Sequence, residues 1–524
     1  MHNQKIVEIN KNNISLALKS ASFPVLAATL VHIVGDIKIL DNLPKPRMAT
    51  LGEIQGYFTK QEKEEIESIA LPLLEKYFLD KELKDFYIPS VEEIWKIMNY
   101  VVGAEVSEDY VPMMIDELNL QPSQHINHNV VLDNKAINNF SALIVGAGMS
   151  GILMGIKLAE RGIPFKIYEK NNSVGGTWAD NTYPGCRVDI ANHFYSYSFE
   201  ENHNWSQYFS EQPELEQYFQ SCFDKNDLAK MTEFNTEVLT MTFDNSANLW
   251  DIQSMTNGSS KTEKFNLVIS CVGQLNQPKI PEINGLKSFK GNIFHSARWP
   301  KNDQITNKKV AIIGSGASAF QIVPSIADKC DELTIFQRSA PWMFPNPDYH
   351  RDVEDGKKWL LKNLPGYARW YRFLLFWPGS DQLLDSLFID PEWQGGETSI
   401  NETNEQMRQI FTDAMLAQLQ DKSLIPKVIP NYPPFGKRML QDNGAWLQSL
   451  QKDNVKIFTD EIQGLTHAGI LTNNQLHEFD TIILATGFKA QEFFTPIRID
   501  GGNGFFHDKY GDSPESYLGI AFDT

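Results

Sequence analysis

The chain has 524 residues, long enough for two to four domains with cores of their own. A hydrophobic share of 42% and a charged share of 22% are those of a soluble globular protein, not of a fibrous or disordered one. The net charge of −19 argues against nucleic acid and against anionic lipid, since both demand a basic face.

In chain order, residues 1–138 read as a helical extension. The apolar run Phe23–Val34 is too short to span a bilayer and predicts a buried helix. In KQEKEEIESIALPLLEKYFL, Ile66, Ile69, Leu71, Leu73 and Leu74 recur among charges at roughly helical spacing. No catalytic cluster stands in this segment. It reads as a packing or oligomerisation domain, with a homodimer as the form oligomerisation would take. A polar connector, Leu120–Asn139, follows.

From Ser141 the pattern changes to short apolar runs, glycine turns and helices, the alternation of an α/β fold. ALIVGAGMSG is a strand running into Gly146-x-Gly148-x-x-Gly151 and then a helix. Gly146 permits the tight turn, Gly148 lets backbone approach a pyrophosphate, and Gly151 lets helix and strand pack closely. The following strand ends at Glu169, 23 residues after Gly146, where a carboxylate can accept hydrogen bonds from a ribose diol.

The design returns as Gly314-x-Gly316-x-x-Ala319. Its second strand ends at Arg338, where a guanidinium suits the 2′-phosphate of NADP; the plainer reading is a solvated surface arginine. Ser315, Ala317, Ser318 and Gln321 fall along the expected pyrophosphate, with Ser339 beside Arg338. Two dinucleotide (Rossmann-like) units, one with an acid and one with a base, point to FAD and then NADPH. The expected organisation is a first FAD-binding part over 139–299. An NADP-binding part follows over 300–465, with a helical insertion at about 348–424, and the FAD-binding part resumes over 466–524. Leu267–Gly273 and Ile482–Phe488 resemble segments that close such folds.

Cys186, Cys222, Cys271 and Cys330 lie far apart and form no CxxC, which argues against a disulfide framework or a thiol redox pair and points to the cytoplasm. No spacing of histidines, cysteines and carboxylates suggests a metal.

GGTWADNTYPGCRVD, with Gly176, Trp178, Tyr183, Pro184, Gly185 and Asp189, resembles a signature of the type I Baeyer–Villiger monooxygenases. FKGNIFHSARWP, from Phe289 to Pro300, is similar to a second pattern of that family, FxGxxxHxxxW followed by Pro or Asp. The likeness runs over essentially the whole chain. VGGTW, NTYPGCRVDI, GQLNQP and the helical extension resemble the 4-hydroxyacetophenone-oxidising members most closely.

The resemblance implies an FAD- and NADPH-dependent monooxygenase that places one oxygen atom of O2 beside a ketone carbonyl, through a flavin C4a-peroxide. It implies that Arg438, in PPFGKRMLQDNG, is the catalytic arginine and that Lys437 contacts the NADP ribose or phosphate. By the same resemblance Asp189 is expected to be the carboxylate facing the active site and Tyr195, Thr177 and Trp178 to be flavin-site positions. It also implies that Val238 offers backbone to the adenine and that Arg187 touches NADP. Trp342, Trp370 and Trp377 suit either an aromatic pocket or a packed core. His295 is expected to hydrogen-bond across the junction of the two nucleotide units and to couple them, with Phe289 and Trp299 anchoring the two ends and Gly291 permitting close backbone approach. Other members extend beyond ESYLGIAF, so part of the flavin domain is expected to be missing after Thr524. Oxidation of sulfur or nitrogen, or an inactive nucleotide-binding chain, are the alternative outcomes.

Overall fold

Each glycine-rich turn grows out of a short strand that is buried along its length apart from Lys309 at the start of the second, as parallel strands covered on both faces are. In the computed structural model, residues 9–50, 52–80, 86–119, 139–492, 494–502, 504–506, 508, 511, 516 and 517 are described. Of the connector expected over Leu120–Asn139, residues 120–138 lie outside the described residues, as does the run after Tyr517.

Among the described residues the first sheet is all-parallel, in the order Thr232–Glu233, Phe165–Tyr168, Ala142–Val145, Leu267–Ser270. Ala142 stands opposite both Phe165 and Leu267. The second sheet, also parallel, runs Val455–Phe458, Glu332–Phe336, Lys309–Ile313, Thr481–Leu484, Asn292–His295. In both, the glycine-turn strand lies where the strand order reverses, so a crevice opens at its carboxyl end. The helices Met149–Glu160 and Ala317–Ile326 leave those two turns.

Two expected boundaries are corrected. The strand Asn292–His295 pairs with Thr481–Leu484 at the edge of the second sheet, so Phe289–Pro300 is not a linker between units. Phe289 packs with Ala311, Ile313 and Ile482 of that second body, and Trp299 meets Phe294 edge-on at 5.1 Å. Both ends are therefore anchored in one unit. Gly291 does sit in a tight approach, since a Cβ there would fall 2.4 Å from the Asp480 carbonyl. Likewise the return to the first unit does not begin at 466. The strands Gly469–Thr472, Gln475–Glu478 and Thr481–Leu484 belong to the second unit. The chain rejoins the first at Phe494 and Ile497, which pack with Leu143 and Val145, and then with Arg498–Asp500, which pairs with Thr240–Thr242 on an antiparallel meander of Thr236–Asp244, Leu249–Thr256 and Ser259–Phe265.

The N-terminal extension is helical, with Lys11–Leu18, Phe23–Val34, Lys60–Glu75, Val91–Val102 and Val111–Glu117. Capping boxes at Thr59/Glu62 and Ser90/Glu93 start two of these helices. Phe23–Val34 is buried from Phe23 to Ile33, as a helix this apolar must be, with Thr29 and His32 its only polar side chains. It packs against the insertion of the second unit. Trp370 Nε1 donates to His32 Nε2 at 2.9 Å, and the Tyr367 hydroxyl accepts from the Ser22 amide at 2.7 Å. Trp342, Trp370 and Trp377 are all core residues and none lines the main cavity.

Candidate active site

A cavity of about 680 Å³ opens where the carboxyl ends of the two sheets face each other. Its wall includes Gly146, Gly148, Glu169, Gly176, Thr177, Trp178, Asp189, Tyr195 and Val238 from the first unit, with Gly316, Ala317, Ser318, Gln321 and Arg438 from the second. Gly148 and Gly176 come together as bare backbone. A Cβ on Gly176 would stand 3.0 Å from the Gly148 Cα. The result is a floor without side chains, suited to a phosphate chain at the helix N-terminus. Gly151 does not line the cavity; a Cβ there would strike the Gly146 carbonyl at 1.9 Å, so it serves helix–strand packing.

Glu169 is buried, and its two carboxylate oxygens accept the Ala147 amide at 2.7 Å and the Asn171 amide at 2.8 Å. It therefore shapes the glycine turn as well as facing the cavity. Val238 lies at an irregularity in its ladder, where the register shifts between Val238 and Thr240. Such a bulge re-aims backbone beside a site.

Asp189 and Arg438 are 249 residues apart in sequence and meet in the cavity wall. Arg438 Nε donates to Asp189 Oδ2 at 3.0 Å, and an Nη nitrogen donates to the same oxygen. The Asp189 side chain is 24% exposed and that of Arg438 57%. A pair this open stabilises the fold by about 0–1 kcal/mol, so its consequence is the placement of a positive charge. The placement is supported from behind. Gln441 Nε2 donates to the Asp189 carbonyl at 2.8 Å, and Asn346 donates to Gln441 at 2.7 Å. Arg438 itself leaves a turn at Tyr432–Gly436 just before the strand Leu440–Asp442, which pairs with Met343–Pro345. Beside the pair, Trp178 Nε1 donates to the Tyr195 hydroxyl at 3.2 Å, and their rings meet edge-on. Burial raises the Tyr195 pKa and keeps the phenol protonated.

The remaining predicted residues divide. Lys437 Nζ donates to Ser339 Oγ at 2.8 Å, and Ser315 Oγ donates to the Ser339 carbonyl at 3.1 Å. With exposed Arg338 next along the chain, these residues form a cationic, hydroxyl-rich corner outside the cavity lining. Gly314, whose Cβ would meet the Ala485 carbonyl at 2.3 Å, closes the second turn.

Arg187 and Gln321 line the cavity but have structural partners. Arg187 donates to the Tyr349 carbonyl at 2.9 Å and pairs with Glu211 at 2.9 Å. Gln321 accepts from the Tyr183 hydroxyl at 2.9 Å and donates to the Arg187 carbonyl at 3.0 Å. They join the two units.

His295 lies beneath the paired strands that cross between the units. Its Nδ1 accepts the Ala297 amide at 3.1 Å, so Nε2 carries the proton and donates to the Gly487 carbonyl at 2.9 Å. Burial lowers its pKa, which favours this neutral form. Gly487 also accepts from Lys279 at 2.8 Å, and Lys489 from its amide donates to Gln277 at 2.9 Å. Residues 271–277 and 494–497 of these crossings line the cavity; Leu267–Gly273 and GQLNQP mark the first run, and no motif announces the second.

A chain of two parallel nucleotide-type units with a paired arginine and aspartate between them defines a class: proteins with two dinucleotide-binding folds facing one shared cavity. Comparison narrows it. The family model for flavin-binding monooxygenase-like proteins matches residues 141–359. A Baeyer–Villiger monooxygenase of Pseudomonas aeruginosa is 32% identical over 405 residues, covering 76% of this chain and 74% of its own. An uncharacterised monooxygenase of Sinorhizobium fredii is 33% identical over 517 residues, 97% of this chain and 77% of its own. The crystal structure of OTEMO in complex with FAD and NADP superposes with a TM-score of 0.62 at 28% identity, covering 73% of this chain and 78% of that one. The chain belongs to the flavin-binding monooxygenase-like family, among its Baeyer–Villiger monooxygenases. It is a flavin-dependent monooxygenase.

Proposed function

We propose that the chain binds FAD and NADPH and inserts one oxygen atom of O2 next to a ketone carbonyl, with aryl ketones of the 4-hydroxyacetophenone kind as its substrate class. The observation that carries this reading is the Asp189–Arg438 pair, formed across the two units in the same cavity as the side-chain-free floor at Gly148 and Gly176. The residues present fit the two nucleotides. Gly148, Gly176, Glu169 and Val238 would hold FAD, and Gly316, Ser318, Lys437, Ser339 and Arg338 would hold NADPH. When bound, the flavin supplies oxygen activation and the nicotinamide supplies hydride.

The chain's own residues do the rest. The Arg438 guanidinium offers a positive charge to an oxyanion developing beside it. Asp189 fixes the plane of the guanidinium, and Gln441 fixes Asp189. Trp178 and Tyr195 exclude water along one wall, which strengthens every charge interaction inside. The aryl ketone assignment is supported by the sequence likeness to the 4-hydroxyacetophenone-oxidising members, helical extension included.

Purified protein should be yellow and should convert 4-hydroxyacetophenone to its ester with NADPH and labelled O2, one label atom entering the product. Arg438→Ala should lose about 100-fold or more of ester formation while keeping its flavin. Turnover of a thioether but of no ketone would replace this reading with heteroatom oxidation. Colourless protein that takes up no FAD would end it.

A further inference from the structure

The helix Tyr367–Phe376 lies in the insertion of the second unit, yet its polar contacts go elsewhere. Arg372 is buried, and its guanidinium is shared between the N-terminal extension and the first unit. Nε donates to Glu117 Oε1 at 2.6 Å. Nη1 donates to the His193 carbonyl at 2.8 Å, to Ser196 Oγ at 3.1 Å, and more weakly to the Phe194 and Ser196 carbonyls, each at 3.4 Å. Three residues earlier, Arg369 donates to the Ser198 carbonyl at 2.8 Å, pairs with Glu201 at 2.6 Å and approaches Glu117 at 3.8 Å.

The segment so gripped begins at Asp189 and carries Tyr195. Its opposite side is pinned by Asn192, which donates to the Gln207 carbonyl at 2.7 Å and to Ser210 Oγ at 2.6 Å. Carbonyl acceptors bring no net charge, and a buried arginine cannot shed its proton. A buried guanidinium is tolerated only beside a counter-charge. Glu117, the last residue of the helix Val111–Glu117, is the carboxylate that Arg372 meets. Where Glu117 sits therefore decides where the guanidinium sits, and that decides where the carbonyls of His193, Phe194 and Ser196 sit.

We propose that Glu117 and Arg372 are positioning residues through which the N-terminal helical extension sets the height of the Asp189–Tyr195 segment in the cofactor cavity. That the cavity holds flavin rests on the function proposed above; the clamp itself does not.

The test uses the full chain with Glu117→Gln, Glu117→Asp and Arg372→Lys, and Glu108→Gln as an exposed acid of the same extension. Amide hydrogen exchange is followed first without added flavin. Glu117→Gln and Arg372→Lys should exchange residues 190–197 roughly tenfold faster, the worth of a lost charge-assisted hydrogen bond, with Phe23–Val34 unchanged. In FAD titrations the same variants should bind roughly tenfold more weakly and shift the visible flavin band, because Tyr195 and Trp178 move against it. Glu117→Asp should restore both readouts in part, and Glu108→Gln should match the parent. Unchanged exchange at 190–197 would overturn the proposal. So would an equal rise throughout the extension, which is loosening of the extension alone. If Glu117→Gln does not fold, Arg372→Lys decides by the same two readouts. If the parent binds no FAD, the functional reading falls while the exchange result still judges the clamp.

Discussion

The two glycine-rich turns follow one backbone plan in different surroundings. At the first, the third glycine is obligatory, since a Cβ on Gly151 would lie 1.9 Å from a carbonyl; at the second, the same place holds Ala319, fully buried and accommodated. At the middle position, Gly148 faces Gly176, whereas a Cβ on Gly316 would meet nothing within 4 Å among the described residues. The first turn is roofed by the protein's own backbone and its acid is tied to two amides. The second is open, with its cationic corner exposed. This is the difference expected between a site for a resident group and a site for one that comes and goes.

The largest effect should come from breaking the tight turn. Gly151→Ala should cost about 3 kcal/mol of stability, because the obstructing atom is backbone and cannot swing away. Gly316→Ala should leave the melting temperature of the unliganded protein unchanged and weaken NADPH roughly tenfold by blocking close approach of the pyrophosphate. Equal thermal losses in both variants would erase the contrast between the turns.

Acid should separate the units next. His193, in the first, is buried, neither ring nitrogen has a hydrogen-bond partner among the described residues, and burial lowers its pKa to about 3. The unfolded chain therefore takes up this proton first, and the contribution is lost as pH falls from about 6.5 toward about 3. His193→Phe should recover on the order of 2–4 kcal/mol of the stability lost across that window and change little at pH 7. The measurement is chemical denaturation at stepped pH. His295, in the second unit, has both nitrogens engaged. Its replacement should alter the acid slope less.

The charged residues after each second strand come third. Glu169→Gln should weaken FAD and also destabilise the apo protein by about 1–2 kcal/mol, since two amides lose a charged acceptor. Arg338→Ala should weaken NADPH roughly tenfold or more, spare NADH, and leave stability within about 0.5 kcal/mol. Titration of each nucleotide beside a melting curve distinguishes a group built into the fold from one waiting at its surface.

What could be read in the chain follows from what is local. The glycine turns, the acid and the base after them, and the buried helix Phe23–Val34 are each written within a few residues, because each answers to its own backbone geometry or its own hydropathy. The domain boundaries were misread because Asn292–His295 and Thr481–Leu484 pair across nearly two hundred residues, and nothing in either run names its partner. Asp189 and Arg438 were legible only through family likeness; a KR pair after a proline turn carries no mark of its chemistry. Arg372 left no trace because its acceptors in the first unit are mostly carbonyls, which any sequence supplies. Arg187 and Gln321 were assigned to a nucleotide although the fold uses their polar groups to join its halves.

His295 tests whether the two units communicate through their crossing strands. Its ring joins the strand at the edge of the second sheet to Gly487, and Gly487 in turn holds Lys279 of the outgoing crossing. Phe488, which lines the cavity, packs edge-on against the ring at 5.6 Å. His295→Ala removes the donor to Gly487 and the acceptor of the Ala297 amide together, so the returning crossing loses its tether while the first unit's floor is untouched. FAD affinity should hold. Hydrogen peroxide released per NADPH consumed should rise roughly two- to tenfold, the worth of one hydrogen bond. His295→Asn, which can still donate to Gly487, should fall between. Loss of flavin with intact reduction kinetics after reconstitution would instead make His295 a support of the first unit, and the tether reading would fail.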